Sequence, residues 1–95
     1  MFDKMKQLME MQKKMQEIKR ELENTVFEVV SQDGNIKITM SGTQEVKEVS
    51  IQADLSKTDK PGLERSMKDA YNRALKRSQE VAAGKMKGLN LPGLG

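Results

Sequence analysis

The sequence predicts an α+β fold of order α-β-β-β-α, in which two helices accompany a small three-stranded antiparallel sheet. Three observations predict it. Residues 1–24 hold neither Gly nor Pro and carry an apolar row at helical spacing. Short alternating segments between residues 25 and 52 are parted by turn residues. Pro61 then opens a second stretch with a helical period.

Helix one is predicted over residues 3–24, because Leu8, Met11, Met15, Ile18 and Leu22 recur at steps of three and four. That row is a heptad seam, with Met1 on the same line, and it can pack within the chain or against a second copy. The run ends where Thr25, Val26 and Phe27 turn the local preference toward strand. Met5 and Met9 lie outside the seam and widen the apolar face near the start of the helix, which predicts contact with a second element there.

Strands are predicted over 25–31, 35–41 and 45–52. In the first, Val26 and Val30 flank Glu28; in the second, Ile36, Ile38 and Met40 alternate with Lys37 and Thr39. Asp33-Gly34-Asn35 between them reads as a hairpin turn, since Gly and Asn tolerate positive φ. A second turn at Ser41-Gly42-Thr43 leads to Val49 and Ile51, and Val46 falls out of step with them, as at a bulge. Two sheet edges stay open, a problem that pairing sheets in a dimer would solve.

Residues 53–60 read as a polar loop, and helix two is predicted over 61–84. Leu63, Met67, Ala70, Tyr71, Ala74, Leu75, Ser78 and Val81 share one face, with Arg65, Lys68, Asn72 and Lys76 opposite. Gly84 and Gly88 interrupt the pattern. Residues 1–87 form one domain in this reading, and 88–95 a flexible tail rich in Gly and Pro.

Composition narrows the function. The 95 residues contain no Cys and no His, which removes disulfides, thiolate chemistry and the commonest metal ligand and acid–base group at neutral pH. Nothing resembles a nucleophile with its base, a phosphate-cradling loop or a carboxylate cluster with metal spacing, so the sequence predicts no enzyme, no cofactor and no metal. No apolar run approaches a membrane span and no signal peptide opens the chain, which predicts a cytoplasmic protein with no membrane partner. With three aromatic residues and eight methionines, any core is thin, and a dimer would help it.

The net charge of +3 is unevenly spread. Residues 61–95 carry seven basic and three acidic side chains, while the rest of the chain is near balance. Arg65, Lys68, Arg73, Lys76 and Arg77 give helix two a basic surface of the kind that neutralises phosphates, although Arg65 and Arg73 can each pair with Asp69 instead. On helix one, Lys6, Lys13 and Arg20 share a heptad position about 10.5 Å apart. The plain alternative there is a solvated face on which Glu10 and Glu17 pair with Lys13, Lys14 and Arg20.

The ordered motifs go further. Met5-Lys6-Gln7 through Met15-Gln16-Glu17, Lys37-Ile38-Thr39-Met40-Ser41-Gly42, Glu45-Val46-Lys47-Glu48-Val49-Ser50-Ile51 and Asp69-Ala70-Tyr71-Asn72-Arg73-Ala74 together resemble the YbaB/EbfC family of nucleoid-associated proteins. Met86-Lys87-Gly88-Leu89 with Leu91-Pro92-Gly93-Leu94 looks like that family's glycine-rich tail. The glycine-rich stretch usual before the second strand is reduced here to Ser31-Gln32-Asp33-Gly34.

The resemblance implies a tweezer-like homodimer whose sheets join centrally and whose helices flank duplex DNA. It also implies a place in the nucleoid, an influence on gene expression, and a link to recombination and replication factors. Its DNA-binding helices point to Lys6, Lys13, Lys14 and Arg20 on helix one and to Arg65, Lys68, Arg73, Lys76 and Arg77 on helix two. The rival reading is a non-catalytic protein-interaction or chaperone-like accessory dimer that presents the methionine-rich end of helix one to a partner.

Overall fold

The computed structural model describes residues 2–87, as α1 (Phe2–Asn24), β1 (Val26–Val30), β2 (Ile36–Ser41), β3 (Val46–Ile51) and α2 (Lys60–Lys87). The predicted tail, 88–95, lies outside the described residues. The strands form one antiparallel sheet in the order β1-β2-β3. The fold is therefore the α+β arrangement the sequence predicts.

Each predicted strand is trimmed at its ends for a visible reason. Thr25 closes α1 rather than starting β1: its hydroxyl donates to the Glu21 carbonyl and its N–H to that of Leu22. Ser31 N–H donates to the Ile36 carbonyl at 2.8 Å and closes the first hairpin, in which Gly34 takes the positive φ of 77°. The bulge falls in β3, where Thr39 faces Glu48 but Met40 faces Val46, leaving Lys47 as the extra residue. In the second turn the positive φ belongs to Gln44 and not to Gly42.

α2 crosses one face of the sheet. Ile36, Ile38 and Met40 are almost wholly buried there against Ala70 and Ala74, with Phe27, Val29 and Leu63 packed around them. Each fully buried aliphatic side chain of this kind contributes about 1.5–3 kcal/mol. The helix comes close to the sheet because its buried stripe, Ser66, Ala70, Ala74 and Ser78, contains only small residues at intervals of four. Both serines find partners: Ser78 donates to the Ser41 carbonyl at 3.1 Å, and Ser66 donates to the Asp33 carboxylate.

Cover is incomplete on the β3 side. The register places Ile51, Val49 and Val46 beside Ile36, Ile38 and Met40, yet all three are 40–49% exposed. Met67 and Tyr71, expected on the buried face of α2, are also exposed. On β1 the inward residues are Phe27 and Val29, while Val26, Glu28 and Val30 face solvent.

Among the described residues, α1 meets the other elements near its C-terminal end. Leu22 is buried, and the Gly42 N–H donates to the Leu22 carbonyl at 2.9 Å and to that of Thr25 at 3.0 Å. α2 runs on through Gly84, where the sequence predicts an end, and its last turns meet α1: Lys85 pairs with Glu21 at 3.5 Å. Met86 joins Met15, Ile18 and Leu22 in lining a shallow groove. Beyond that junction α1 projects alone, and the described residues span 67 × 22 × 16 Å with a radius of gyration of 18.5 Å. A compact chain of this length has a radius near 12 Å.

Candidate nucleic-acid interface

All nine predicted binding residues are exposed: Lys6, Lys13, Lys14 and Arg20 on α1, and Arg65, Lys68, Arg73, Lys76 and Arg77 on α2. The pairing expected of Glu10 and Glu17 with Lys13, Lys14 and Arg20 is absent among the described residues. Lys6, Lys13 and Arg20 thus form a row of free cations along about 21 Å of helix.

On α2 the five cations fall into distinct settings. Lys68 and Lys76 lie with Asn72 and Gln79 on the side away from the sheet, within an arc of roughly 80°, and make no ion pair among the described residues. Arg65 lies on the same arc but beside the helix start, where it lines a cleft of about 520 Å³ with Asp33, Asp59 and Asp69. Arg77 meets Glu80 at 3.7 Å, a long contact between two well-exposed side chains. Arg73 is held more closely, with its Nε 2.9 Å from Asp69 Oδ2.

That cleft is where the first hairpin meets the start of α2. The Asp33 carboxylate accepts from the Ser31 hydroxyl at 2.6 Å, the Asn35 N–H at 3.0 Å and the Ser66 hydroxyl. These donors, Ser31 and Ser66 foremost, hold its pKa down from 3.8 to about 2. Asp69 is also lowered, first by the Gln32 N–H at 2.8 Å and then by Arg73. Asp54 is lowered by the hydroxyl and N–H of Ser56. These carboxylates fasten turns and helix ends, and no group of three or more acidic side chains among the described residues is placed to hold a metal ion.

The methionine-rich end of α1 has no neighbouring element among the described residues. Met5, Leu8 and Met9 are 60–68% exposed, so the second element expected there does not come from the described part of the chain. Of the heptad seam Leu22 is buried and Met11 and Ile18 are half-buried, while Leu8 and Met15 are exposed. No helix of the described residues is long and apolar enough to cross a membrane.

Sequence reasoning missed the approach of Gly42 to Leu22, the burial of Ser66, the Asp69–Gln32 link and the Lys85–Glu21 pair. Ser66 could have been found from the interval of four that joins it to Ala70, Ala74 and Ser78. The other three depend on residues far apart in sequence and left no local signal.

The comparisons with known proteins agree with the geometry. A family model described as the YbaB/EbfC DNA-binding family matches residues 1–94. A nucleoid-associated protein of Clostridium acetobutylicum is 35% identical over 94 residues, covering 94% of this chain and 84% of its own. Another, from Dictyoglomus turgidum, is 35% identical over 96 residues and covers 96% and 92%. The crystal structure of an uncharacterised protein from Helicobacter pylori shares the fold, with a TM-score of 0.73, 23% identity, and coverage of 85% of this chain and 89% of that one. The chain belongs to the YbaB/EbfC DNA-binding family.

Proposed function

We propose that this chain binds duplex DNA as a homodimer, mainly through phosphate contacts from the basic faces of α1 and α2, and so influences nucleoid organisation and gene expression. The observation that carries the reading is a set of exposed cations on two long helices that make no ion pair among the described residues, including Lys6, Lys13, Lys14 and Arg20 on one and Lys68 and Lys76 on the other. Each such cation that meets a phosphate releases a counterion, a gain that needs no base contact. The modest net charge fits weak binding per dimer and several dimers on one DNA.

The dimer is supported by Val46, Val49 and Ile51, which line an open sheet edge and are 40–49% exposed. The proposed setting is cytoplasmic and nucleoid, and the proposed role is non-catalytic, with no cofactor. Recombination and replication proteins are proposed as further partners.

Gel-shift titration of a short labelled duplex against the full chain tests the reading. Retardation at micromolar protein in low salt, lost as salt rises, is the expected result; no retardation, or binding indifferent to salt, refutes it. The second reading, an accessory dimer that docks a partner protein, is favoured by the uncovered Met5, Leu8 and Met9. It predicts partner capture that withstands salt and is lost when Met5 and Met9 are changed to Ser.

A further inference from the structure

The five predicted binding residues of α2 are alike in charge and unlike in what holds them. We propose that Asp69 withholds Arg73 from DNA by tying it to the first hairpin, so that Lys68 and Lys76 bind phosphate and Arg73 does not. The proposal rests on the DNA-binding reading above and assigns unequal shares to residues that reading treats together.

Exposed ion pairs four residues apart on a helix ordinarily open and close with little preference. Asp69 differs because it does not depend on Arg73 for its position. Its Oδ2 accepts the Gln32 backbone N–H at 2.8 Å, a bond that reaches across 37 residues of sequence to the end of β1. The carboxylate is half-buried at that seam between hairpin and helix, and Arg73 Nε lies 2.9 Å from the same oxygen. A fixed, ionised acceptor therefore stands beside Arg73 whether or not DNA is present. The Arg77–Glu80 contact has no such anchor: it is 3.7 Å long and both side chains are more than half exposed.

Direction reinforces charge. At 3.6 residues per turn, Lys68, Asn72, Lys76 and Gln79 point the same way, and Arg73 projects about 100° round from the middle of that arc, toward the β1 side where Gln32 lies. A phosphate backbone lying along the outer arc would meet Lys68 and Lys76 about 12 Å apart. To reach it, Arg73 would have to leave Asp69 and swing across the flank of the helix.

Charge-matched pairs of variants test this, using the full chain and fluorescence anisotropy of a short labelled duplex over a range of salt concentrations. Lys76→Gln and Arg73→Gln each remove one positive charge from the same helix. Lys76→Gln is expected to lower the slope of log affinity against log salt by about one per bound subunit, whereas Arg73→Gln leaves the slope unchanged. Asp69→Asn and Glu64→Gln each remove one negative charge. Asn keeps an acceptor for the Gln32 N–H, so Asp69→Asn is expected to preserve the fold, free Arg73, and raise affinity and slope beyond the effect of Glu64→Gln.

Equal flattening by Arg73→Gln and Lys76→Gln overturns the proposal. So does an Asp69→Asn protein that gains no more than Glu64→Gln while melting as the wild type does. A wild-type chain that ignores duplex DNA overturns the DNA reading itself and this proposal with it, and that outcome is seen before any variant is compared.

Discussion

Replacing Gly42 with Ala adds one methyl group at the point where α1 is fastened to the sheet. The new Cβ would lie 2.9 Å from Leu22 Cδ2, 2.9 Å from the Leu22 carbonyl oxygen and 3.2 Å from Leu22 Cα. Carbon atoms pack comfortably at about 3.5–4.0 Å, so something must retreat by roughly half an ångström. The Leu22 side chain can rotate, but the carbonyl and Cα belong to the helix backbone and move only if the last turn of α1 moves. Overpacking of this kind costs about 1–3 kcal/mol. The same retreat stretches the 2.9 Å bond from Gly42 N–H to the Leu22 carbonyl, a loss of about 1 kcal/mol. The sum, about 2–4 kcal/mol, lowers the melting temperature by roughly 8–30 °C in a chain of this size. Circular dichroism melts of wild type and Gly42→Ala at matched protein concentration measure it, since assembly would make the midpoint concentration-dependent. Shortening Leu22 to Ala in the same protein relieves only the Cδ2 contact and should not rescue it. A Gly42→Ala protein that melts within about a degree of wild type would refute the reasoning, because the close approach would then be holding nothing.

Two further outcomes follow from the same structure. Gly84→Ala should stabilise the chain by about 0.5–1 kcal/mol in the same melts, because the residue sits inside α2 and a Cβ there meets nothing within 4 Å. The acid limb of stability should show Asp33: its folded pKa of about 2 lies below the ordinary 3.8, so its contribution is complete above pH 4 and is lost as pH falls toward 2. Asp33→Asn should therefore melt lower than wild type at pH 7 and converge with it near pH 2, as read from melting temperature against pH, with the lowered Asp54 and Asp69 adding to the wild-type limb in the same direction.

The elements were legible in the sequence because periodicity is a local property. The row from Leu8 to Leu22 announces a helix with one apolar face whatever that face meets. Its partner was not legible, since spacing reports a face and not what covers it; in the structure Leu22 is buried at the junction with α2, while Leu8 and Met15 of the same row are exposed. The end of α2 was misplaced for a related reason. A glycine costs a helix about 1 kcal/mol, but here the turns after Gly84 carry Lys85 to Glu21 and Met86 to Ile18, contacts that offset the cost and cannot be seen from the local sequence. The sequence places Ser78 on the apolar face of α2 and leaves Ser66 off it, yet both are buried, because a helix lying close to a sheet needs small residues and each hydroxyl finds an acceptor. On the candidate interface, Arg73 with Asp69 was readable as a pair at helical spacing. The Gln32 bond that fixes Asp69 was not.

The two turns of the sheet act on the two helices in different ways. At one end the β1–β2 turn ties down the first half of α2 through Asp33 with Ser66 and through Gln32 with Asp69. At the other end the β2–β3 turn grips α1 through Gly42, with Lys85 and Met86 of α2 bracing it from the side. Lys6 stands sixteen residues from Leu22, about 24 Å along the helix. A half-ångström retreat at Leu22, taken over a lever of about one helical turn, tilts α1 by several degrees and moves its far end by roughly 2–3 Å. The free cations Lys6, Lys13 and Lys14 would be displaced together relative to those of α2, which are fixed to the sheet. Spacing between the two basic faces is thus set less by the charged residues themselves than by the absence of a side chain at position 42.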